Sequence, residues 1–137
     1  MKHKITLFIL AIAFLSCRQS KLMDEKKDNL IVGKWGIYEM VEFQNNDDSA
    51  AIKCSVCPEI VFANDYSGFT KTAGESPRHF SWEIDAGRLA IKYMGYHKIA
   101  NGTVAGGNYE ITYSDKKLTS EIALVDTAKN IKYILRK

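Results

Sequence analysis

The chain has 137 residues, of which 46% are hydrophobic, and its 19 basic and 16 acidic side chains give a net charge of +3. This length allows one domain with one core and is too short for two. Because no cluster of Lys and Arg is interleaved with aromatic residues, the composition argues against a nucleic-acid-binding surface.

The first 16 residues have the features of an export signal. Lys2 and Lys4 precede an uncharged apolar run, Ile5–Leu15. As a helix this run would rise only about 16 Å, whereas a bilayer core is roughly 30 Å thick. A cleaved signal therefore fits better than a transmembrane anchor. Cleavage would remove two of the 19 basic residues, leaving 17 against 16 acidic ones and a net charge of +1.

The end of the apolar run, Phe14-Leu15-Ser16-Cys17, resembles a bacterial lipobox. The resemblance implies cleavage after Ser16 and a lipid on Cys17, which anchors the mature protein to a membrane. The alternative is an ordinary signal peptide with a chance cysteine. Arg18 stands where many inner-membrane lipoproteins of Gram-negative bacteria have Asp, which implies the outer membrane. The predicted division is thus a signal peptide at 1–16, a lipidated flexible tether at 17–29 and a folded domain at 30–137.

From Leu30 onward the apolar residues recur with the period of two that is typical of β-strands. Phe80, Trp82 and Ile84 share one face of such a run, and a short turn leads to a second alternating run, which predicts a hairpin. The stretch Gln44–Ala51 is polar and is predicted to be a loop. The same pattern predicts eight strands, near residues 33–43, 59–63, 68–72, 80–84, 88–93, 109–113, 118–122 and 131–136.

Eight sequential antiparallel strands predict an all-β fold, and closure into an up-and-down barrel would remove the exposed strand edges. A β-sandwich is the alternative. Gly33-Lys34-Trp35, at the start of the first strand, resembles the signature of the lipocalins. The resemblance is closest to short, lipid-anchored, lipocalin-like bacterial proteins and covers residues 30–137. It implies that Trp35 closes one end of the barrel and that Arg136, or else Lys137, lies across its ring.

The stretch KCSVCPEIVF at residues 53–62 contains Cys54 and Cys57, three residues apart. If Cys17 carries a lipid and the chain is exported, a local disulfide is the favoured use of this pair. A redox-active dithiol would need a stabilised thiolate, commonly at a helix N-terminus, and here Pro58 and a strand follow. A metal site would need two further ligands, and the mature chain offers only His79 and His97 among its histidines. No metal or cofactor is expected.

The inward face of the predicted strands is rich in aromatic residues. They could line a cavity for a small hydrophobic ligand, or they could simply fill the narrow interior of an eight-stranded barrel. Strict alternation also places Glu39 inward, although a β-bulge would turn it outward. As candidate ligand contacts we consider Trp35, Phe80, Trp82, Tyr93, Tyr109, Tyr113 and Tyr133.

Two functions follow from these features, and neither is enzymatic. The sequence contains none of the common catalytic motifs, and a turn into a strand explains Ser76 and His79 better than a catalytic pair does. The favoured hypothesis is a monomeric, lipid-anchored envelope protein that binds a small hydrophobic ligand. The alternative is an interaction or inhibitor module with a filled core, which acts through loops such as the glycine-rich Gly95–Gly107.

Overall fold

The computed structural model describes residues 30–44, 47–95, 103–113 and 120–137. The predicted signal peptide at 1–16, the lipidation site Cys17 and the rest of the tether to residue 29 lie outside the described residues. The strands are β1 (Gly33–Gln44), β2 (Asp47–Lys53), β3 (Glu59–Phe62), β4 (Ser67–Lys71), β5 (Arg78–Asp85), β6 (Arg88–Tyr93), β7 (Gly107–Tyr113), β8 (Glu121–Asp126) and β9 (Ile131–Arg136).

Strands β1 and β3 to β9 form a closed, eight-stranded antiparallel barrel. From β3 to β9 each strand pairs with the next along the chain, and β1 pairs with both β3 and β9. The closing pair runs from Gly36 opposite Arg136 to Glu42 opposite Ile131. Since one sheet closes on itself, the predicted up-and-down barrel is confirmed and the sandwich is excluded.

The ninth strand, β2, corrects the loop predicted at Gln44–Ala51. It pairs with the second half of β1, from Lys53 opposite Glu39 to Asp47 opposite Gln44. Its sequence, DDSAAIK, has no clear alternation of apolar and polar residues. The pairing is made by backbone groups, which a period-two pattern does not reveal.

Strand β8, the seventh strand of the barrel, also differs from the prediction, which ended it at Ile122. It continues to Asp126, and Ile122, Leu124 and Asp126 are its buried positions. The predicted start at Leu118 lies outside the described residues. The predicted end of the strand was too early. The last buried position is Asp126, and a carboxylate is a residue type that is seldom buried without a partner.

A β-bulge in β1 settles the orientation of its second half. The register with β9 shifts by one residue between Ile37, opposite Leu135, and Glu39, opposite Ile134. Beyond the bulge, Met40 lies opposite the buried Tyr133, and directly paired residues share one face of a sheet. Met40 therefore lies on the core side and Glu39 on the other, as expected if a bulge interrupts the alternation.

The barrel interior is a continuous hydrophobic core. Among the described residues it contains fifteen buried side chains, contributed by β1, by β3, by β5 to β9 and by the segments just before β1 and β7. Seven further side chains, among them Tyr93 and Tyr113, are partly buried against it. Burial of this face is the main favourable contribution to folding.

One glycine shows how closely the interior is packed. Gly68 of β4 lies directly opposite Phe80 of β5. A Cβ atom built on Gly68 would collide with the Phe80 ring and with the carbonyl oxygen of Val61. The aromatic ring lies over the glycine backbone, a pairing that compensates for the missing side chain in a strand.

Candidate functional site

One end of the barrel is closed around Trp35. The ring is fully buried, and its Nε1–H donates a hydrogen bond of 2.7 Å to the carbonyl oxygen of Ile31. The Nζ of Lys137 lies 4.6 Å from the centre of the ring. Gly33 has a φ of 130°, a conformation that side chains rarely adopt, which explains the glycine of the Gly-x-Trp motif. We call these four residues the tryptophan end.

The expectation that Arg136 covers Trp35 is wrong. The Arg136 guanidinium lies 3.9 Å from the centre of the Tyr38 ring, and its Nε donates a hydrogen bond of 2.6 Å to Glu121. Tyr133 and Leu135 are buried. Because side chains alternate along β9, Lys137 shares their side of the sheet and Arg136 faces outward.

Inside the barrel the aromatic rings contact one another edge to face. Phe62 packs against both Phe80 and Trp82, with centroid distances of 5.5 and 5.6 Å. Phe80 continues the series to Tyr93 at 5.4 Å. Tyr109 and Tyr133 form a separate pair at 6.1 Å. These are favourable geometries for aromatic pairs. The rings contact one another over surface that a ligand in the interior would have to contact.

The segment Thr103–Gly106, which precedes β7 and which we call the inner segment, enters this core. Val104 is fully buried and belongs to the core cluster. The Tyr93 hydroxyl donates a hydrogen bond of 2.7 Å to the carbonyl oxygen of Val104, and the Tyr109 hydroxyl donates one of 2.6 Å to that of Ala105. The backbone of Ala105 also forms a hydrogen bond with Tyr133. Three inward hydroxyl groups thus hold the chain's own backbone.

Burial in this environment raises the pKa of all three tyrosines. Desolvation is the largest cause for Tyr93, Tyr109 and Tyr133. The negative charge of Asp126 adds to the effect on Tyr109 and Tyr133. The hydroxyl groups therefore remain protonated and act as neutral hydrogen-bonding groups at physiological pH.

A residue of the turn between β8 and β9 forms a hydrogen bond with the end of the inner segment. Lys129 donates a hydrogen bond of 3.1 Å to the carbonyl oxygen of Gly106 and lies 3.0 Å from the carboxylate of Asp126. Burial alone would raise the pKa of Asp126, but its hydrogen bonds from Lys129 and from the backbone N–H of Ala128 lower it overall. The buried carboxylate noted in β8 therefore has a structural partner.

A cavity of about 720 Å³ lies at the opposite end of the barrel from Trp35. We call it the mouth cavity. It is bordered by β1, β2, the residues that join β2 to β3, Thr72 after β4 and the start of the inner segment. Its volume is within the range of sites for small molecules, about 300–1,000 Å³. Apolar side chains on its wall are Ile37, Met40, Ile52, Val56 and Pro58, and hydroxyl groups come from Thr72, Thr103 and Tyr133.

The rim of the mouth cavity exposes two large apolar side chains. Ile52 of β2 is 57% exposed and Val56 is 70% exposed. Two such side chains beside a partly apolar cavity favour contact with an apolar molecule. Glu39, Glu42 and Lys53 are charged members of the same border.

Residues 54–58, which we call the disulfide loop, form one side of the cavity. Cys54 and Cys57 are joined, with their Cα atoms 5.0 Å apart, so the predicted local disulfide is confirmed. The backbone N–H of Cys54 donates to the carbonyl oxygen of Tyr38, at 3.1 Å, and that of Ile37 donates to Pro58, at 2.8 Å. The loop is therefore attached to β1 at both ends.

The structure brings the seven candidate ligand contacts together in one core. Trp35, Phe80, Trp82, Tyr109 and Tyr133 are buried there, and Tyr93 and Tyr113 pack against it. Among the seven, only Tyr133 lines the mouth cavity. Sequence reasoning missed Met40, Ile52 and Val56. The bulge at Tyr38 turns Met40 inward, β2 carries Ile52 and the disulfide loop carries Val56; neither the bulge nor β2 leaves a periodic signal in the sequence.

Other candidate sites receive no support from the described residues. They contain no group of three or more His, Cys, Asp or Glu side chains placed to hold a metal ion. His79 is exposed at the start of β5 and contacts Phe69, and the other candidate ligand, His97, lies outside the described part of the chain. Within the described part of the chain, no helix is long and apolar enough to cross a bilayer.

Comparison of the chain with protein-family models, with curated proteins and with solved structures finds no match in any of the three.

Proposed function

We propose that this protein is a lipid-anchored protein of the bacterial envelope that binds a small, largely apolar ligand in the mouth cavity. The observation that supports the proposal most strongly is the cavity itself, whose volume of about 720 Å³ suits a small molecule. Its apolar wall would contact the body of the ligand. The hydroxyl group of Thr72, which lines the cavity, would hydrogen-bond one polar group of the ligand.

The site proposed differs from the one that the aromatic pattern alone suggested. The rings of Phe80 and Trp82 are already packed against Phe62, and the hydroxyl groups of Tyr93 and Tyr109 already bind the inner segment. A ligand in the interior would have to displace these packing contacts and hydrogen bonds, and the protein would lose the stability that they provide. The mouth cavity needs no such displacement, so the ligand is assigned to the border between β2 and the inner segment.

We propose a binding protein rather than an enzyme, and the pairing of several surface carboxylates with Lys and Arg supports this choice. Outward carboxylates of three strands form ion pairs across the barrel surface: Glu59 with Lys34, Glu110 with Arg88 and Glu121 with Arg136. Such exposed pairs contribute little to stability, and they lie outside the mouth cavity, which they do not line. A binding role uses the apolar wall and the hydroxyl groups without requiring a reacting group.

Binding is tested with the purified protein and an apolar fluorophore whose emission rises in a nonpolar site. We expect Ile52→Asp to weaken binding about tenfold or more, because it places a charge on the apolar rim. Met94→Asp is the matched control, because Met94 is 58% exposed and Ile52 57%, and Met94 does not line the cavity. Equal loss in both variants, or no binding by the unchanged protein, would contradict the proposal.

The anchor is tested separately in a Gram-negative host. Cys17→Ser should abolish incorporation of radiolabelled fatty acid and release the protein from the outer-membrane fraction. A Cys54→Ser, Cys57→Ser variant is the control and should keep the lipid. A label that persists after Cys17→Ser would exclude the proposed anchor.

A further inference from the structure

The disulfide loop lies at a point where the edge of the sheet is interrupted. On one side of it, Lys53 of β2 is opposite Glu39, and on the other side Glu59 of β3 is opposite Gly36. Five residues of the loop therefore span a gap that two residues of β1, 37 and 38, occupy. The disulfide closes this detour at its base, with the two Cα atoms 5.0 Å apart.

Strand β2 has a strand partner on one side. Within the described residues it pairs with β1 alone, so its second edge has no strand partner there. Every strand of the closed barrel, by contrast, is paired on both sides. Edge strands with a single partner open more readily than central ones. The ladder with β1 holds β2 from Asp47 to Lys53, and the loop adds a second constraint at the Lys53 end, beside the cavity.

The same elements form one wall of the mouth cavity. Ile52 and Lys53 come from β2, and Cys54, Ser55 and Val56 come from the disulfide loop. If β2 separates from β1, this wall loses its position. Ligand affinity and the state of the disulfide are thereby coupled through one element of structure.

We propose that the Cys54–Cys57 disulfide is a redox-controlled latch that holds the mouth cavity in its binding form. The oxidised protein keeps β2 in place and binds ligand, and reduction loosens β2 and releases the ligand. Because its ligand readout uses the mouth cavity, the inference rests on the proposed function. Cys57, Ser55 and Val56 are exposed, so a dithiol reductant can reach the loop.

The chemistry is a thiol–disulfide exchange with an external dithiol. A thiolate of the reductant attacks the sulfur of Cys57, the bond between Cys57 and Cys54 breaks, and Cys54 leaves as a thiolate that takes up a proton. The second thiolate of the reductant then attacks its own mixed-disulfide sulfur and releases the Cys57 thiolate, which is protonated. Two electrons pass to the protein, and the reductant becomes a cyclic disulfide.

The first test measures hydrogen exchange of backbone amides in the purified protein, before and after dithiothreitol treatment. We expect the amides of β2 that bond to β1, those of Ala50 and Ile52, to lose protection by about tenfold, the scale set by the loop entropy of a small disulfide ring. Amides of β5 and β6 should keep theirs. Unchanged protection in β2, or equal loss throughout the barrel, would overturn the latch.

The second test measures affinity for the apolar fluorophore under the same two conditions. Reduction should weaken binding about tenfold, and dithiothreitol should have no effect on a Cys54→Ser, Cys57→Ser variant, which should bind like the reduced protein. Equal binding by both redox forms would overturn the latch and leave the proposed function intact. Absence of binding by both forms would overturn the proposed function, and hydrogen exchange would then decide the latch.

Discussion

At the tryptophan end, Trp35 is fully buried and has partners for both its N–H group and its ring. At the other end, a cavity of about 720 Å³ remains between β2, Thr72 and the inner segment. Strand β1 contributes to both ends, whereas β2 borders only the cavity. The difference shows that closure of the barrel does not require both ends to be filled, so one end can carry stability while the other remains available for binding.

At the tryptophan end and in the middle of the barrel, buried polar side chains have hydrogen-bond partners within the protein. The indole N–H of Trp35 binds a carbonyl oxygen in the segment before β1. In the middle of the barrel, Tyr93 and Tyr109 bind carbonyl oxygens of the inner segment. Buried polar groups without partners are costly, so these bonds favour one arrangement of the interior. The mouth cavity, in contrast, is lined by hydroxyl-bearing residues, among them Thr72.

The largest effect is expected at the tryptophan end. Trp35→Ala should lower the free energy of unfolding by about 3–5 kcal/mol, because it removes the largest fully buried side chain and leaves a cavity. The measurement is urea-induced unfolding followed by circular dichroism. At temperatures where Trp35→Ala is folded, it should bind the apolar fluorophore with unchanged affinity. A selective loss of affinity with normal stability would reverse the roles assigned to the two ends.

A smaller effect is expected where β4 meets β5. Gly68→Ala should lower the free energy of unfolding by about 1–3 kcal/mol, because the new Cβ overpacks the contact with Phe80. Gly36→Ala is the matched control in β1, where a Cβ would meet only ordinary contacts at 3.7 and 3.9 Å. Equal stability of the two variants in thermal unfolding would show that the interior is less tightly packed than described.

Alkaline pH should weaken the centre of the barrel. Burial raises the pKa of Tyr93, Tyr109 and Tyr133, so the folded protein keeps these groups neutral while the unfolded chain ionises them near pH 10. Their contribution to stability is fully present below about pH 10 and is lost as the pH rises further. We expect a loss of up to about 4 kcal/mol between about pH 9 and about pH 11, which is about 1.4 kcal/mol for each tyrosine that stays neutral in the folded protein.

The measurement is denaturant-induced unfolding at several pH values, with tyrosine ionisation followed by ultraviolet absorbance. Tyr109→Phe should reduce the slope of stability against pH above about pH 10, because it removes one of the three groups. A slope that is the same in the variant and the unchanged protein would show that Tyr109 is not protected from ionisation by the inner segment.

The smallest effect distinguishes Lys137 from Arg136. Lys137→Gln should cost about 0.5–1 kcal/mol, the scale of an exposed cation–π contact. In a Trp82→Phe background, it should also shift the fluorescence of Trp35, whereas Arg136→Gln should leave that emission unchanged because Arg136 lies over Tyr38. The opposite pattern would restore the sequence-based assignment of Arg136 to the Trp35 ring.

Much of the fold could be predicted from local pattern. The runs around Phe80 and Leu89 alternate cleanly and form the predicted hairpin of β5 and β6. The Cys54–Cys57 disulfide followed from the spacing and the expected compartment. Both features depend on residues close together in the chain, for which sequence spacing determines geometry.

The features that define the mouth cavity could not be predicted in this way. The bulge at Tyr38 adds one residue on a single strand, so alternation on its own placed Glu39 inward and Met40 outward. The pairing of β2 depends on backbone groups, and the burial of Val104 depends on its contacts with the core and on the hydrogen bond from Tyr93. Each is decided by tertiary structure, which local preferences do not encode.

The most direct test of the account is to map the ligand site at residue resolution. We would titrate the isotopically labelled protein with an apolar amphiphile and follow the amide chemical shifts. The account predicts concentrated changes at Ile37, Met40, Ile52 and Val56, and little change at Leu89 or Ile122 in the filled core. Changes centred on Phe80 and Trp82 would place the ligand inside the barrel and contradict the assignment to the mouth cavity.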